Sequence, residues 1–369
     1  MLMHIILLFT FGYSLRLWKE SGSLDRELEF YKKLSKDNNI KFTFVTYGDE
    51  EEIKFEEDIE VFPIYNYIKK RKSKKLEYLQ SFYYPFLINK NIHNFDIIKQ
   101  NQLLGSWVAI GLKLLTNKKL FIRTGYDMYR FSVLEEKSTT IKFLYKILTR
   151  FSLFFSDLYS VSSLSDLNYL KEKFNKGNII LRPNWVKELN YNKLENRNNL
   201  EVLTVGRLEK QKNFEEIIMA LVNTNYSLVI YGDGREREKL ITLAKENNVN
   251  LEIKDVIPYS ELLSVYQNHK IFVSSSSFEG NSKAILEAMS SGCIVIAKYI
   301  DNNKELINSS IDGYLYKNTD ELNKLLKQID NNISSQKKIS KNAMKRVFEN
   351  NNISNLIDLE IEDFKKLLD

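Results

Sequence analysis

The chain has 369 residues, 43% of them hydrophobic, and a net charge of +6 at pH 7. That length favours two domains, each able to bury a core of ordinary size. A lone cysteine, Cys293, excludes an intrachain disulfide framework and fits a reducing compartment such as the cytoplasm, and His4, His93 and His269 are too scattered for metal-ligand spacing.

The opening stretch "MLMHIILLFTFG" is apolar but has no basic leader and no small-residue cleavage site, so it reads as a buried first strand. No run reaches the ~18 apolar residues of a membrane span. Short β-branched runs then alternate with helix-length amphipathic segments. Strands are expected at 4–9, 41–47, 59–64, 95–98, 119–124, 157–162 and 178–182, and again at 200–206, 226–232, 251–255, 270–275, 293–297 and 313–316. Strand–helix alternation implies parallel sheets covered on both faces. Two such series imply two Rossmann-like, doubly wound α/β domains facing across a cleft. The expected limits are 1–185 and 186–350, joined through the polar 185–199 region, with a C-terminal helix over 351–369 packing back toward the first domain. Ligands in such sheets bind beyond the carboxyl ends of the strands.

The first strand is followed by "FGYSLRLWKESGSLDRE", with glycines only at 12 and 22. The chain lacks both G-x-G-x-x-G at a strand–helix junction and G-x-x-x-x-G-K-[ST], which argues against a nicotinamide dehydrogenase and a P-loop nucleotidase. Positive charge is concentrated early: residues 1–190 carry net +8 and residues 191–369 net −2. Lys69, Lys70, Arg71, Lys72, Lys74 and Lys75 fall within seven residues, followed by the aromatic and aliphatic run "LEYLQSFYYPFLI". Further along, "TIKFLYKILTRFSLFF" sets Lys142, Lys146 and Arg150 four apart on one helix face, beside many phenylalanines. Basic stripes bordered by aromatics suit an anionic bilayer surface; a solvated charge run beside ordinary core helices is the plainer alternative.

Three pieces of the second half repeat one arrangement. "VGRLEKQKNFEEII", "YGDGREREKL" and "SSSSFEGNSKAILEAMSSG" each end a strand and open a helix, a placement suited to anions. Arg207 and Lys212 lie five apart in the first; Glu279 and Glu287 lie eight apart in the third. Taken singly, each has a plain reading. Lys283 and Glu287 are i, i+4 and could form a surface ion pair worth a few tenths of a kcal/mol, and Gly232 and Gly234 could mark a simple turn.

In order and spacing, the G-R-L-x-x-x-K run, the G-D-G turn and the E-x7-E pair resemble the GT-B glycosyltransferases, specifically the large retaining family 4. "RPNWV" (182–186) is similar to the P-N-G-V segment that leads into that family's second domain. The resemblance implies retaining, metal-independent hexosyl transfer from a nucleotide diphosphate sugar, with no other cofactor. It implies that Glu279 orients the donor sugar, that Glu287 holds the ribose hydroxyls, and that the amides of Gly280, Asn281 and Ser282 meet the diphosphate. Gly232 and Gly234 border the same donor site, and Arg207 and Lys212 neutralise the leaving group. Of the glycines after the first strand, Gly22 is the one expected near the donor phosphates, with Ser23 capping the next helix. Many relatives carry a histidine after the fifth strand, where this chain reads "FIRTGYDMYRF"; Tyr126 and Asp127 are the polar candidates there. The acceptor expected is a glycan or lipid-linked glycan for cell-surface polysaccharide or glycoconjugate, with the enzyme peripheral on the inner face of the membrane. Nucleic acid could use the same basic charge, but the donor motifs make a lipid-linked acceptor more coherent. The rival readings are a non-catalytic GT-B module that binds a nucleotide sugar, and a GT-B sugar-nucleotide epimerase.

Overall fold

The computed structural model describes residues 2–49, 59–175, 178–189, 192–329 and 333–369. Its contacts divide the chain into two units, Met1–Arg182 with Ser354–Asp369, and Pro183–Ile353. The division falls three residues before the position read from the sequence, and local bonding explains why. Arg182 forms a two-pronged ion pair with Asp363 of the first unit, at 2.6 and 2.7 Å. Asn184, two residues on, donates two hydrogen bonds to Asn281 of the second. Of the 185–199 junction, residues 190 and 191 lie outside the described residues.

In the first unit the strands are β1 (Met3–Leu8), β2 (Ile40–Thr46), β3 (Ile59–Pro63), β4 (Ile97–Asn101), β5 (Lys119–Thr124), β6 (Leu158–Val161) and β7 (Ile179–Leu181). All pair in parallel, in the order β3-β2-β1-β4-β5-β6-β7. The helices between them are α1 (Leu15–Glu20), α2 (Leu24–Asn38), α3 (Lys74–Ser81), α4 (Tyr84–Asn91), α5 (Ser106–Thr116), α6 (Met128–Leu134), α7 (Thr139–Phe155) and α8 (Leu164–Phe174). Strand β1, inside the sheet, is apolar on both faces over Ile5, Ile6, Leu7 and Leu8, all fully buried, as expected of a parallel sheet layered by helices.

The second unit repeats the plan with β8 (Asn198–Val205), α9 (Phe214–Leu221), β9 (Ser227–Tyr231), α10 (Arg237–Glu246), β10 (Leu251–Lys254), α11 (Tyr259–Asn268), β11 (His269–Ser274), α12 (Lys283–Ser290), β12 (Ile294–Lys298), α13 (Asp301–Leu306), β13 (Tyr314–Tyr316), α14 (Thr319–Ile329) and α15 (Ile333–Asn351). Its sheet order is β10-β9-β8-β11-β12-β13, again all parallel. In both sheets the strand order reverses beside the first strand, between β1 and β4 and between β8 and β11. In doubly wound sheets such a switch point opens a crevice at the carboxyl ends of the strands, because the loops on either side turn away from each other.

The last helix, α16 (Ile353–Leu368), carries Glu360 and Asp363 into the first unit. Lys99 on β4 is fully buried, and its ammonium meets the Glu360 carboxylate. Phe30, Tyr31, Phe121 and Phe364 surround that ammonium, their ring centroids 5.2–5.9 Å away. Burial pulls the Lys99 ammonium below its usual pKa, and the Glu360 charge opposes that pull. Cys293 is fully buried in the core of the second unit, and burial pushes its thiol up to about 12. It behaves as a small core residue.

Candidate active site

The loops after β8 and β11 flank the switch point of the second sheet, and they carry the motif residues. After β8 the chain leaves through Gly206, Arg207 and Leu208, makes a short 3-10 turn over Lys210–Lys212, and enters α9. Asn213, left-handed at φ +49°, links that turn to the helix. After β11 the chain runs through Ser275–Ser282 into α12, where Ser282 Oγ caps the Ile285 amide at 3.5 Å.

The two loops are stitched together. The Ser277 amide donates to the Gln211 carbonyl at 2.9 Å, and Gln211 Nε2 donates to the Phe278 carbonyl at 2.7 Å. Ser275 Oγ donates to the Lys212 carbonyl at 2.7 Å. As a result the Lys212 ammonium meets the Glu279 carboxylate, both side chains largely enclosed. Arg207 stands exposed nearby in the same loop, and among the described residues no carboxylate pairs with it. Gln211 and Ser275 do not stand out in the sequence. The only cue to Gln211 is its place inside the G-R-L-x-x-x-K run, since its partners lie more than 60 residues away.

Gly232 and Gly234 have a steric task. Leu208 N–H donates to the Asp233 carbonyl at 2.9 Å and Gly206 N–H to the Tyr231 carbonyl at 3.1 Å, so the two loops continue the β8–β9 ladder. A Cβ on Gly232 would lie 2.0 Å from the Gly206 carbonyl oxygen, and one on Gly234 would lie 2.5 Å from that of Leu208. Neither position accepts a side chain without displacing the Arg207 loop.

Glu287 is 3% exposed, which overturns the surface ion-pair alternative. Tyr266 Oη donates to its Oε2 at 3.3 Å. Burial, then the Glu287 charge, hold that phenol far above its usual range, so it remains a donor. Asn281 uses its side-chain oxygen to accept from the Asn184 amide at 2.9 Å, fixing the "RPNWV" segment beside α12. Among the described residues, no acceptor meets the backbone N–H groups of Gly280, Asn281 and Ser282, which stand at the positive end of α12.

In the first unit three expectations change. Gly22 ends α1: its amide donates to the Lys19 carbonyl at 3.0 Å, and its φ of +68° closes the helix. It is Gly12, at φ +80° with nothing within 4 Å of an added Cβ, that lies in the turn after β1. Ser23 makes no side-chain cap and instead donates to the Trp18 carbonyl at 3.3 Å. Asp127 is 1% exposed and caps α6, its Oδ1 accepting from the Arg130 amide at 2.6 Å and its Oδ2 from Thr149 Oγ1 at 3.4 Å. Its carboxylate is engaged inside the protein and is not presented to a substrate. Tyr126 remains at the surface, its ring 4.5 Å from that of Phe131.

Asp127 also gives a pH dependence. Burial pushes its carboxyl up to about 6, with Asp166 adding to the rise and the Arg130 amide opposing it. The folded chain therefore holds this proton more tightly than the unfolded chain. The resulting stabilisation is complete below about pH 4 and is lost as pH rises through about 6. Asp127→Asn keeps a capping oxygen and removes the titration. Urea unfolding at the two ends of that window should show a smaller fall in stability for the variant than for the parent; equal falls would assign the dependence to other groups.

Residues 187–346, most of the second unit, match the family model described as glycosyl transferases group 1. Curated relatives include the GtfA subunit of the UDP-N-acetylglucosamine–peptide N-acetylglucosaminyltransferase of Streptococcus agalactiae, 31% identical over 32% of this chain and 24% of that one. Another is an N-acetylgalactosaminyltransferase of Campylobacter jejuni, named for a diphospho-undecaprenol substrate, 34% identical over 26% of this chain and 27% of that one. The match thus spans about a quarter of these two relatives. Among solved structures, sucrose-phosphate synthase of Thermosynechococcus elongatus superposes with a TM-score of 0.82 over 99% of both chains, at 16% identity. Anabaena Alr3699/HepE, solved with UDP-glucose, does so with a TM-score of 0.74 over 99% of this chain and 100% of that one, at 14% identity. The chain therefore has the GT-B fold. Its second unit carries a glycosyl transferases group 1 domain.

Proposed function

We propose that the chain is a retaining glycosyltransferase of family 4 type. It moves a hexose-type sugar from a nucleotide diphosphate to a hydroxyl of a glycan or lipid-linked glycan, in cell-surface polysaccharide or glycoconjugate synthesis. The observation that carries the reading is the Lys212–Glu279 pair, held beside Arg207 and the α12 N-terminus at the switch point. A cation, a hydroxyl-accepting carboxylate and free helix amides are what a diphosphate sugar needs.

In this reading the two charged groups compensate each other until donor binds. The diphosphate then takes Glu279's place at Lys212, and the released carboxylate accepts from the sugar hydroxyls. Glu287, fixed by Tyr266, accepts from the ribose. The bond between the anomeric carbon and the diphosphate oxygen breaks, and the bond to the acceptor oxygen forms on the same face. The acceptor's proton passes to the departing diphosphate oxygen. Arg207 and Lys212 act most on charge that grows in the transition state, so they serve rate more than affinity.

Lys212, Arg207 and the α12 amides supply the positive charge, so transfer needs no metal. The neighbour solved with UDP-glucose makes uridine donors the first to try. A thermal-shift screen of UDP-, GDP- and ADP-sugars should find a stabilising donor. Nucleotide release with donor and acceptor together should then proceed unchanged in EDTA. Binding without release would favour the non-catalytic module, and loss of activity in EDTA would overturn the metal-free step.

Among the described residues no helix is long and apolar enough to cross a membrane. The six cations of 69–75 are all exposed, and the reading includes peripheral association of the first unit with an anionic membrane on its inner face, where a lipid-linked acceptor resides.

A further inference from the structure

Helix α7 is built inside out. The side chains it buries include Thr149 and Ser152, both fully enclosed, and Leu153. Ser152 Oγ bonds Ser106 Oγ of α5 at 2.8 Å, and Thr149 bonds the α6 cap Asp127. Polar contacts therefore seat the helix on the unit. Its large apolar residues point the other way: Phe143, Leu144, Phe151 and Phe154 are 53–65% exposed. At the α-helical repeat these fall, with Ile147, in one stripe about 100° wide opposite the seated face. Lys146 and Arg150, both exposed, run along one flank of the stripe.

A second exposed apolar run lies on the same side of the unit. α5 packs against α7 and against α4, and its Trp107 Nε1 donates to Ser81 Oγ of α3 at 2.8 Å. Leu79 of α3, Phe82 at its C-cap and Phe86 of α4 are 55–67% exposed, directly after the basic run 69–75.

We propose that α7 is the membrane-inserting element of the first unit: it lies in the plane of an anionic bilayer with its phenylalanine stripe below the headgroups, while the 69–75 cations bind the headgroups. The proposal rests on the lipid-linked-acceptor reading and adds the element and mode of attachment. Charge selects this occupant over a protein. Protein interfaces are depleted in lysine, whereas long cationic side chains beside an apolar stripe can reach headgroups while their stems stay in the apolar layer. Charge alone gives binding that salt removes; the apolar stripe adds a salt-resistant part.

The buried, unreactive Cys293 allows a single-site label. Phe151→Cys, labelled with a nitrobenzoxadiazole dye, is mixed with vesicles of phosphatidylglycerol and phosphatidylcholine. Emission should rise and blue-shift on binding, and acyl-brominated lipids should quench it. In flotation, part of the parent's binding should survive high salt. Phe143→Ser, Phe151→Ser and Phe154→Ser combined should lower vesicle partitioning at least about tenfold. Far-UV circular dichroism and the donor-induced thermal shift should stay at parental values in that triple variant. A floating protein whose label stays in water would overturn the proposal, as would a triple variant that floats like the parent. So would a parent that sediments as a dimer and becomes monomeric on the triple change, since a second copy would then cover α7. If no nucleotide sugar shifts the melting of the parent, the donor reading fails, while insertion is still decided by the label. If the triple variant misfolds, Leu144→Lys is the milder test, with the same direction expected.

Discussion

Glu279→Ala is expected to lower kcat by about a hundredfold or more while leaving the fold intact. The magnitude is that of removing one oriented polar group from a transition-state site. The side chain sits in the β11–α12 loop, so truncation opens no core cavity. It does remove the partner of Lys212, and the two consequences differ. The nucleoside diphosphate product should bind as tightly as before or more tightly, because Lys212 no longer has to leave a carboxylate. Sugar transfer should fall, because nothing orients the sugar hydroxyls. Glu279→Gln should show the same split, since an amide keeps the shape and loses the charge. Lys212→Ala should lower kcat by more than it raises KM, and the double variant should fall well short of the sum of the two losses, because the residues act as a pair. Steady-state kinetics with titration of the diphosphate check each point. Parental turnover in Glu279→Ala would remove the residue from the mechanism.

Glu360→Ala should destabilise the first unit by about 3–5 kcal/mol, the usual cost of leaving a buried charge unpaired. Lys99 has no exposed surface, and the four aromatic rings around its ammonium attract it without supplying the counter-charge that Glu360 provides. The pair itself need not be a net source of stability, since two ions were removed from water to make it. Lys99→Met combined with Glu360→Leu should therefore recover most of the loss. Urea unfolding, followed by a probe in the first unit because two units can melt separately, distinguishes the cases. An unchanged midpoint in Glu360→Ala would mean that the ammonium finds water or another partner. Asp363→Ala should cost less than Glu360→Ala, because the Arg182 that it frees is only part-buried.

Much of the fold was legible because parallel strands and amphipathic helices are written in local periodicity. All thirteen expected strands occur, each within about two residues at most boundaries, the common uncertainty of such limits. The charged strand–helix junctions were legible for a related reason. Backbone amides, glycines and charges at a strand–helix junction must be near one another in sequence, as Arg207 and Lys212 are.

Other features depended on partners far along the chain. The spacing of Lys283 and Glu287 serves a surface pair or a buried carboxylate equally well; Tyr266 and the packing of α12 decided for burial. That Gly22 ends a helix while Gly12 lies in the turn after β1 depended on α1, a six-residue helix too short for a periodic signal. The pattern of α7 suited a bilayer surface or, more plainly, an ordinary core helix, and the polar seat formed by Ser106 and Asp127 is what turns its phenylalanines outward. Lys99 and Glu360 meet across 261 positions. Sequence by itself determined which segments are strands and helices and which junctions carry charge, since those depend on neighbours a few residues apart. Tertiary structure alone decided which polar groups are buried and which apolar face is left in water, because burial is set by the surfaces that distant segments bring together.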